Sequence, residues 1–109
     1  MTADTTFRPA RFPEAIKRLE PYSGRFDAFR LNGKGCDVYF ASYPAGTEIE
    51  PHTHDTDNHG LVTLGTLILI VDGQETRVPA GQWYHVPAGQ RHAARFEEDT
   101  EEIELWFTR

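Results

Sequence analysis

The sequence holds a single cysteine, Cys36, so no disulfide can form within the chain. One such thiol fits a reducing compartment, and the expectation is a cytoplasmic protein with Cys36 serving as a small buried hydrophobe. Long hydrophobic runs are also missing. The longest, residues 67–71, falls far short of a membrane span, and Met1 to Pro9 carry no apolar stretch of the kind found in a signal peptide. Cations are in deficit, with 11 Lys and Arg against 17 Asp and Glu and a formal charge of −6. Nucleic acid and anionic membrane surfaces both call for clustered positive charge, so neither is expected as a partner. No Gly-rich phosphate loop, Ser–His–Asp order or pair of catalytic carboxylates can be made out.

What remains is the composition of one ordinary globular domain: 109 residues, 39% hydrophobic and 26% charged. A chain this short buries a modest share of its surface, which makes a homodimer the expected state. Residues 1–25 read as an N-terminal segment packed on the outside of the domain. A short helix is expected over 13–19, with Pro13 in its first turn and Pro21 closing it. From residue 26 onward, short β-favouring runs alternate with Gly, Pro and Asx punctuation. Strands are predicted at 26–31, 37–43, 48–53, 60–64, 66–71, 75–78, 82–86, 93–97 and 103–107. Asn32-Gly33 and Asp72-Gly73 suit tight hairpin turns. The fold class is therefore all-β, an antiparallel barrel or sandwich over 26–109. In the last strand, Ile103, Leu105 and Phe107 face one way and Glu102, Glu104 and Trp106 the other. The acidic stretch Asp99, Glu101, Glu102 and Glu104 is expected on a solvated loop and strand face.

Chemistry concentrates in five histidines: His52, His54, His59, His85 and His92. His52 and His54 are i and i+2, so on a strand both imidazoles reach one point in space. His92, from a distant strand, would close the site across the barrel. Neutral imidazoles suit one divalent transition ion, Fe, Ni, Zn, Mn or Cu. Glu50 shares the parity of His52 and could orient an imidazole through its carboxylate. His85, in Trp83-Tyr84-His85-Val86, is the candidate proton-transfer residue. Trp83, Phe96 and Trp106 are candidate pocket walls, and their alternative role is barrel core. Arg91 is a candidate partner for a substrate carboxylate, although alternation sets it opposite His92. Asp55 and Asp57 belong to a connecting turn and are expected to be solvated.

The spacing carries a resemblance. Gly46, five residues, His52, one residue, His54, three residues, Asn58, six residues, Gly65 resembles the first motif of the cupins. Gly81, five residues, Pro87, one residue, Gly89, two residues, His92 resembles the second, and the fifteen residues between Gly65 and Gly81 match compact members. The resemblance implies a cupin barrel, the jelly-roll double-stranded β-helix, with a short N-terminal helical or irregular segment. It also implies a metal held by His52, His54 and His92. Two positions depart from the family pattern. The third ligand, usually glutamate, is Asn58 by spacing or His59 by ligand chemistry; His59 is preferred and Asn58 is the alternative. Phe96 replaces the asparagine that usually ends the second motif. Cupins of this size include dioxygenases, isomerases, lyases and proteins that only bind or sense small molecules. The expected function is a metal-dependent enzyme acting on a small polar, anionic molecule; the alternative is a non-catalytic binding or sensing cupin.

Overall fold

The structure, a computed structural model, describes residues 11–24 and 26–108. The greater part of the expected 1–25 segment's leading half, residues 1–10, lies outside the described residues. A one-turn helix, α1 (Glu14–Lys17), is followed by β1 (Glu20–Ser23), β2 (Asp27–Asn32), β3 (Cys36–Tyr43), β4 (Glu48–His52), β5 (Asp57–Leu64), β6 (Thr66–Val71), β7 (Gln74–Pro79), β8 (Trp83–Val86), β9 (His92–Arg95) and β10 (Thr100–Phe107). The helix is shorter than predicted, and Pro21 does not close it. Instead Pro21 lies in β1, at the edge of a sheet, where a residue without an N–H is tolerated.

Every described strand pairing is antiparallel. One sheet has six strands in the order β1-β2-β3-β10-β5-β8, and the other has four in the order β4-β9-β6-β7. Asp72 and Gly73, both at positive φ, make the β6–β7 hairpin turn that the sequence implied. At the β2–β3 turn, Asn32 stays in the strand and the positive φ falls at Gly35.

The inner faces meet in a core of Tyr39, Ala41, Tyr43, Val62, Leu67, Val78, Ala94 and Phe96. Tyr43, on β3, stacks flat on Phe96, just past β9, at 4.1 Å, and so ties one sheet to the other. Tyr22, Tyr39 and Trp106 continue the aromatic layer at centroid spacings of 4.8 and 4.4 Å.

The outer faces differ. On the four-stranded sheet, Arg95 forms a two-pronged bond to Glu75 (2.9 and 3.0 Å) and Arg77 pairs with Glu97. Arg77 and Arg95 flank Ile68 in the strand register and cover it, leaving it 1% exposed. On the six-stranded sheet the outward side chains are largely apolar. One cross-strand row runs Phe29, Phe40, Ile103, Leu61, Trp83 and the next runs Leu31, Val38, Leu105, His59, His85.

Candidate metal centre

His52 and His92 are direct partners across the β4–β9 ladder, with ring centroids 4.3 Å apart. His54 follows β4 in the loop to β5, and its carbonyl accepts from the Gly89 N–H at 2.8 Å. That bond fastens the loop carrying one motif to the turn carrying the other. The imidazole ligand atoms of His52, His54 and His92 all lie within 4.8 Å of one another, and the Nε2 atoms of His52 and His54 are 3.0 Å apart.

Backbone carbonyls set the tautomers. His52 Nδ1 lies 2.7 Å from the Glu50 carbonyl oxygen and His92 Nδ1 lies 2.9 Å from that of Gln90. A carbonyl accepts only, so each Nδ1 carries the proton and each Nε2 presents its lone pair to the cluster. Such a donor set fits a divalent transition ion, for which neutral imidazole is a preferred ligand. Glu50 therefore serves through its main chain; its side chain is exposed and does not line the pocket, contrary to the expectation of a carboxylate partner.

Opposite the histidines, β5 turns Asn58 inward. Asn58 is 6% exposed, accepts from the Thr56 hydroxyl at 2.6 Å and lines the same cavity as the three histidines. His59, one residue on, faces outward. Of the two candidates for a fourth place beside His52, His54 and His92, the structure brings Asn58 into the cavity and leaves His59 outside it. Spacing pointed to Asn58 and ligand chemistry to His59, and strand parity decides for spacing.

His59 pairs with His85 across β5–β8, the two rings stacked at 4.2 Å, and Asp57 joins them. His85 Nε2 is 3.0 Å from Asp57 Oδ1, and the carboxyl is held below its ordinary range first by this bond. So His85 is outside the pocket, and its expected role there as an acid or base is withdrawn. Asp57 is the first residue of β5 rather than a solvated turn residue. Trp83, 59% exposed on the outer face, is likewise no pocket wall, whereas Phe96 and Trp106 are. Arg91 is exposed and Cys36 is half-buried.

The cavity at the histidines measures about 50 Å³, and besides the three imidazoles, Asn58 and a wall of apolar and aromatic side chains its lining includes two carboxyls that the sequence reading misplaced. Glu102 and Glu104 are 1% and 7% exposed and point inward from β10. The Tyr84 hydroxyl donates to Glu102, and the Tyr43 hydroxyl and Trp106 Nε1 donate to Glu104. Burial pushes both carboxyls up, and the neighbouring Glu104 raises Glu102 further. Both tyrosines are pushed up as well, first by burial and then by the carboxylates, and stay protonated donors. Trp106 joins this acid pair to the histidines, since its ring lies 4.6 Å from that of His54.

Comparison with known proteins agrees with this architecture. Among curated proteins none matches the sequence. KdgF from Halomonas sp. superposes with a TM-score of 0.74 at 19% identity, covering 92% of this chain and 95% of that one. An RmlC-like cupin from Shewanella frigidimarina gives 0.74 at 20% identity over 85% and 86% of the two chains. The DMSP lyase DddQ from Ruegeria pomeroyi gives 0.68 at 23% identity, with 76% of this chain covering 47% of that one. At these identities the likeness shows the fold. The cupin-domain profile matches residues 39–108, more than half of the chain and both histidine motifs, and the protein belongs to the cupin family.

Proposed function

We propose that the protein is a metal-binding cupin that acts on a small anionic molecule, with His52, His54 and His92 holding the ion and Asn58 beside them. The observation that carries this reading is the convergence of three imidazoles, of which His52 and His92 commit Nδ1 to backbone carbonyls and aim Nε2 at the cluster, while His54 Nε2 lies 3.0 Å from His52 Nε2. A bound divalent ion supplies Lewis-acid polarisation of a coordinated oxygen. Imidazole and amide donors leave its charge uncancelled, and the adjoining carboxyls are shifted toward their neutral form, so the site favours a carboxylate, keto acid or enediolate. The cavity limits the part of the molecule that enters to a few non-hydrogen atoms. Glu102 and Glu104 then hold a proton at a carboxyl oxygen inside the pocket, Tyr84 and Tyr43 keep those carboxyls oriented, and Trp106 closes the wall between acid pair and histidines.

The small cavity also supports a second reading, binding or sensing without turnover. Metal analysis tests the common ground. With His59 and His85 replaced by Ala, so that the outer cluster contributes nothing, the untagged protein should retain one equivalent of a transition ion. His92→Ala in that background should lose it, and full retention would rule the site out. Turnover of a small keto acid or enediol that stops in Glu104→Gln, with metal still bound, selects the enzyme; binding without turnover selects the sensor. We further propose that the protein works as a homodimer inside the cell, supported by the apolar outer face of the six-stranded sheet.

A further inference from the structure

We propose that Asp57, His59 and His85 form a second transition-metal site, on the outside of the barrel and separate from the inner histidines. The strand register makes the cluster. His59 and His85 are directly opposed across β5 and β8, so both side chains leave the sheet on the same face, and Asp57, two residues before His59, joins them. The rings lie parallel within 4°, with His85 Nε2 at 3.0 Å from Asp57 Oδ1 and His59 Nε2 at 3.6 Å from Asp57 Oδ2. Zinc bonds of about 2.0–2.1 Å in a tetrahedron set ligand atoms roughly 3.3 Å apart. Each imidazole nitrogen lies near that distance from one oxygen of the carboxylate, and one ligand atom from each of the three residues lies within 4.8 Å of the others. Two imidazoles and one carboxylate with an open fourth position are a donor set that suits Zn²⁺ and its neighbours Ni²⁺ and Cu²⁺.

The surroundings favour a fixed site over three independent surface groups. The Ala88 N–H donates to Asp57 Oδ1 at 3.3 Å and orients the carboxylate. Phe107 stands edge-on to His59 at 5.7 Å and walls one side. The rings are 41% and 45% exposed at the side chain, which leaves the ion a way in and gives the rings the freedom to tilt together. Asn58 lies between Asp57 and His59 and faces inward, so the two sites sit back to back on β5. An ion outside would join β5 to β8, a four-residue strand at the sheet edge.

Equilibrium dialysis of the metal-stripped, untagged protein against micromolar free Zn²⁺ tests this by difference. The wild type should bind one equivalent more than the His59→Ala/His85→Ala variant, whatever the inner site holds. Asp57→Asn should weaken that extra equivalent at least tenfold, and thermal stabilisation by Zn²⁺ should shrink with it. Equal stoichiometry in wild type and double variant would overturn the site and leave a hydrogen bond between Asp57 and His85. Because both histidines are partly exposed, loss of fold does not confuse the result, and an unchanged far-ultraviolet spectrum checks it.

Discussion

Glu102 and Glu104 are carboxyl groups facing the inside of a barrel, and their protonation links residue chemistry to the stability of the whole chain. An unfolded glutamate titrates near 4.5, while burial raises the native Glu102 carboxyl well above that. Between those two values the native state holds a proton that the unfolded state has released. Stability is therefore greatest below the unfolded value and falls as pH rises toward the native one, by at most about 1.4 kcal/mol per pH unit for one proton. Chemical denaturation of the metal-free protein between about pH 5 and pH 8 should show this decline. In Glu102→Gln the amide oxygen still accepts from Tyr84 and position 102 no longer ionises, which leaves Glu104 as the one carboxyl to titrate in the pocket. The slope should flatten and the variant should be the more stable protein at neutral pH; an unchanged slope would place the titration elsewhere. These residues were not legible in the sequence. Alternation along β10 correctly divided Glu102, Glu104 and Trp106 from Ile103, Leu105 and Phe107, but parity gives two faces without saying which is inside. Hydropathy put the acids outside. The phenols of Tyr43 and Tyr84 and the indole of Trp106 reverse that choice, and they come from three different strands.

At the scale of elements, β5 carries most of the site's logic. Its inward residues are Asn58, Gly60 and Val62, and its outward ones are His59, Leu61 and Thr63, which fixes the fate of both ligand candidates at once. The six-residue gap between Asn58 and Gly65 was the readable clue. Gly65, at φ +74°, sits where the chain turns from β5 into β6, and the fixed distance from that turn pointed to Asn58, where alternation alone left Asn58 and His59 as equal candidates. Gly60 is another readable feature, since a glycine within a strand often marks the close approach of a neighbour. Here the neighbour is Tyr84, directly opposite on β8, and a Cβ on Gly60 would overlap its ring. Gly60→Ala should therefore cost about 1–3 kcal/mol by overpacking and displace the phenol that holds Glu102. A double-mutant cycle with Tyr84→Ala checks the cause. The Gly60 change should cost much less once the ring is gone, and strict additivity would mean that the ring is not what Gly60 accommodates. The nine strands expected from punctuation all appear, with ends moved by a few residues. The strand β1 was missed because its only patterned positions, Tyr22 and Pro21, were absorbed into a helix ending.

The two sheets present opposite outer surfaces, and that asymmetry bears on how the whole molecule associates. The Arg77–Glu97 and Arg95–Glu75 pairs roof one sheet, whereas the other shows Leu31 at 49%, Trp83 at 59% and Phe107 at 40% exposure. Each copy carries a net charge of −6, so two copies meet at least electrostatic cost through the apolar row of Phe29, Phe40, Ile103, Leu61 and Trp83. Five strands at about 4.8 Å and two to three rows at about 6.8 Å give a patch on the order of 330–490 Å². That is about half of the ~800 Å² that each partner contributes to a standard interface. The magnitude points to a reversible dimer that depends on concentration rather than a permanent one. Phe12, packed edge-to-face on Phe40 at 5.8 Å, already covers one end of the patch, which directs the contact toward Leu61, Trp83 and Leu105. Sedimentation velocity across a dilution series should show a monomer–dimer exchange, and Trp83→Glu should shift it to monomer while the inner site keeps its metal. A wild type that stays monomeric at the highest concentration would leave this face without a second copy, and an unaltered dimer in Trp83→Glu would move the interface to another surface, such as the strand edges.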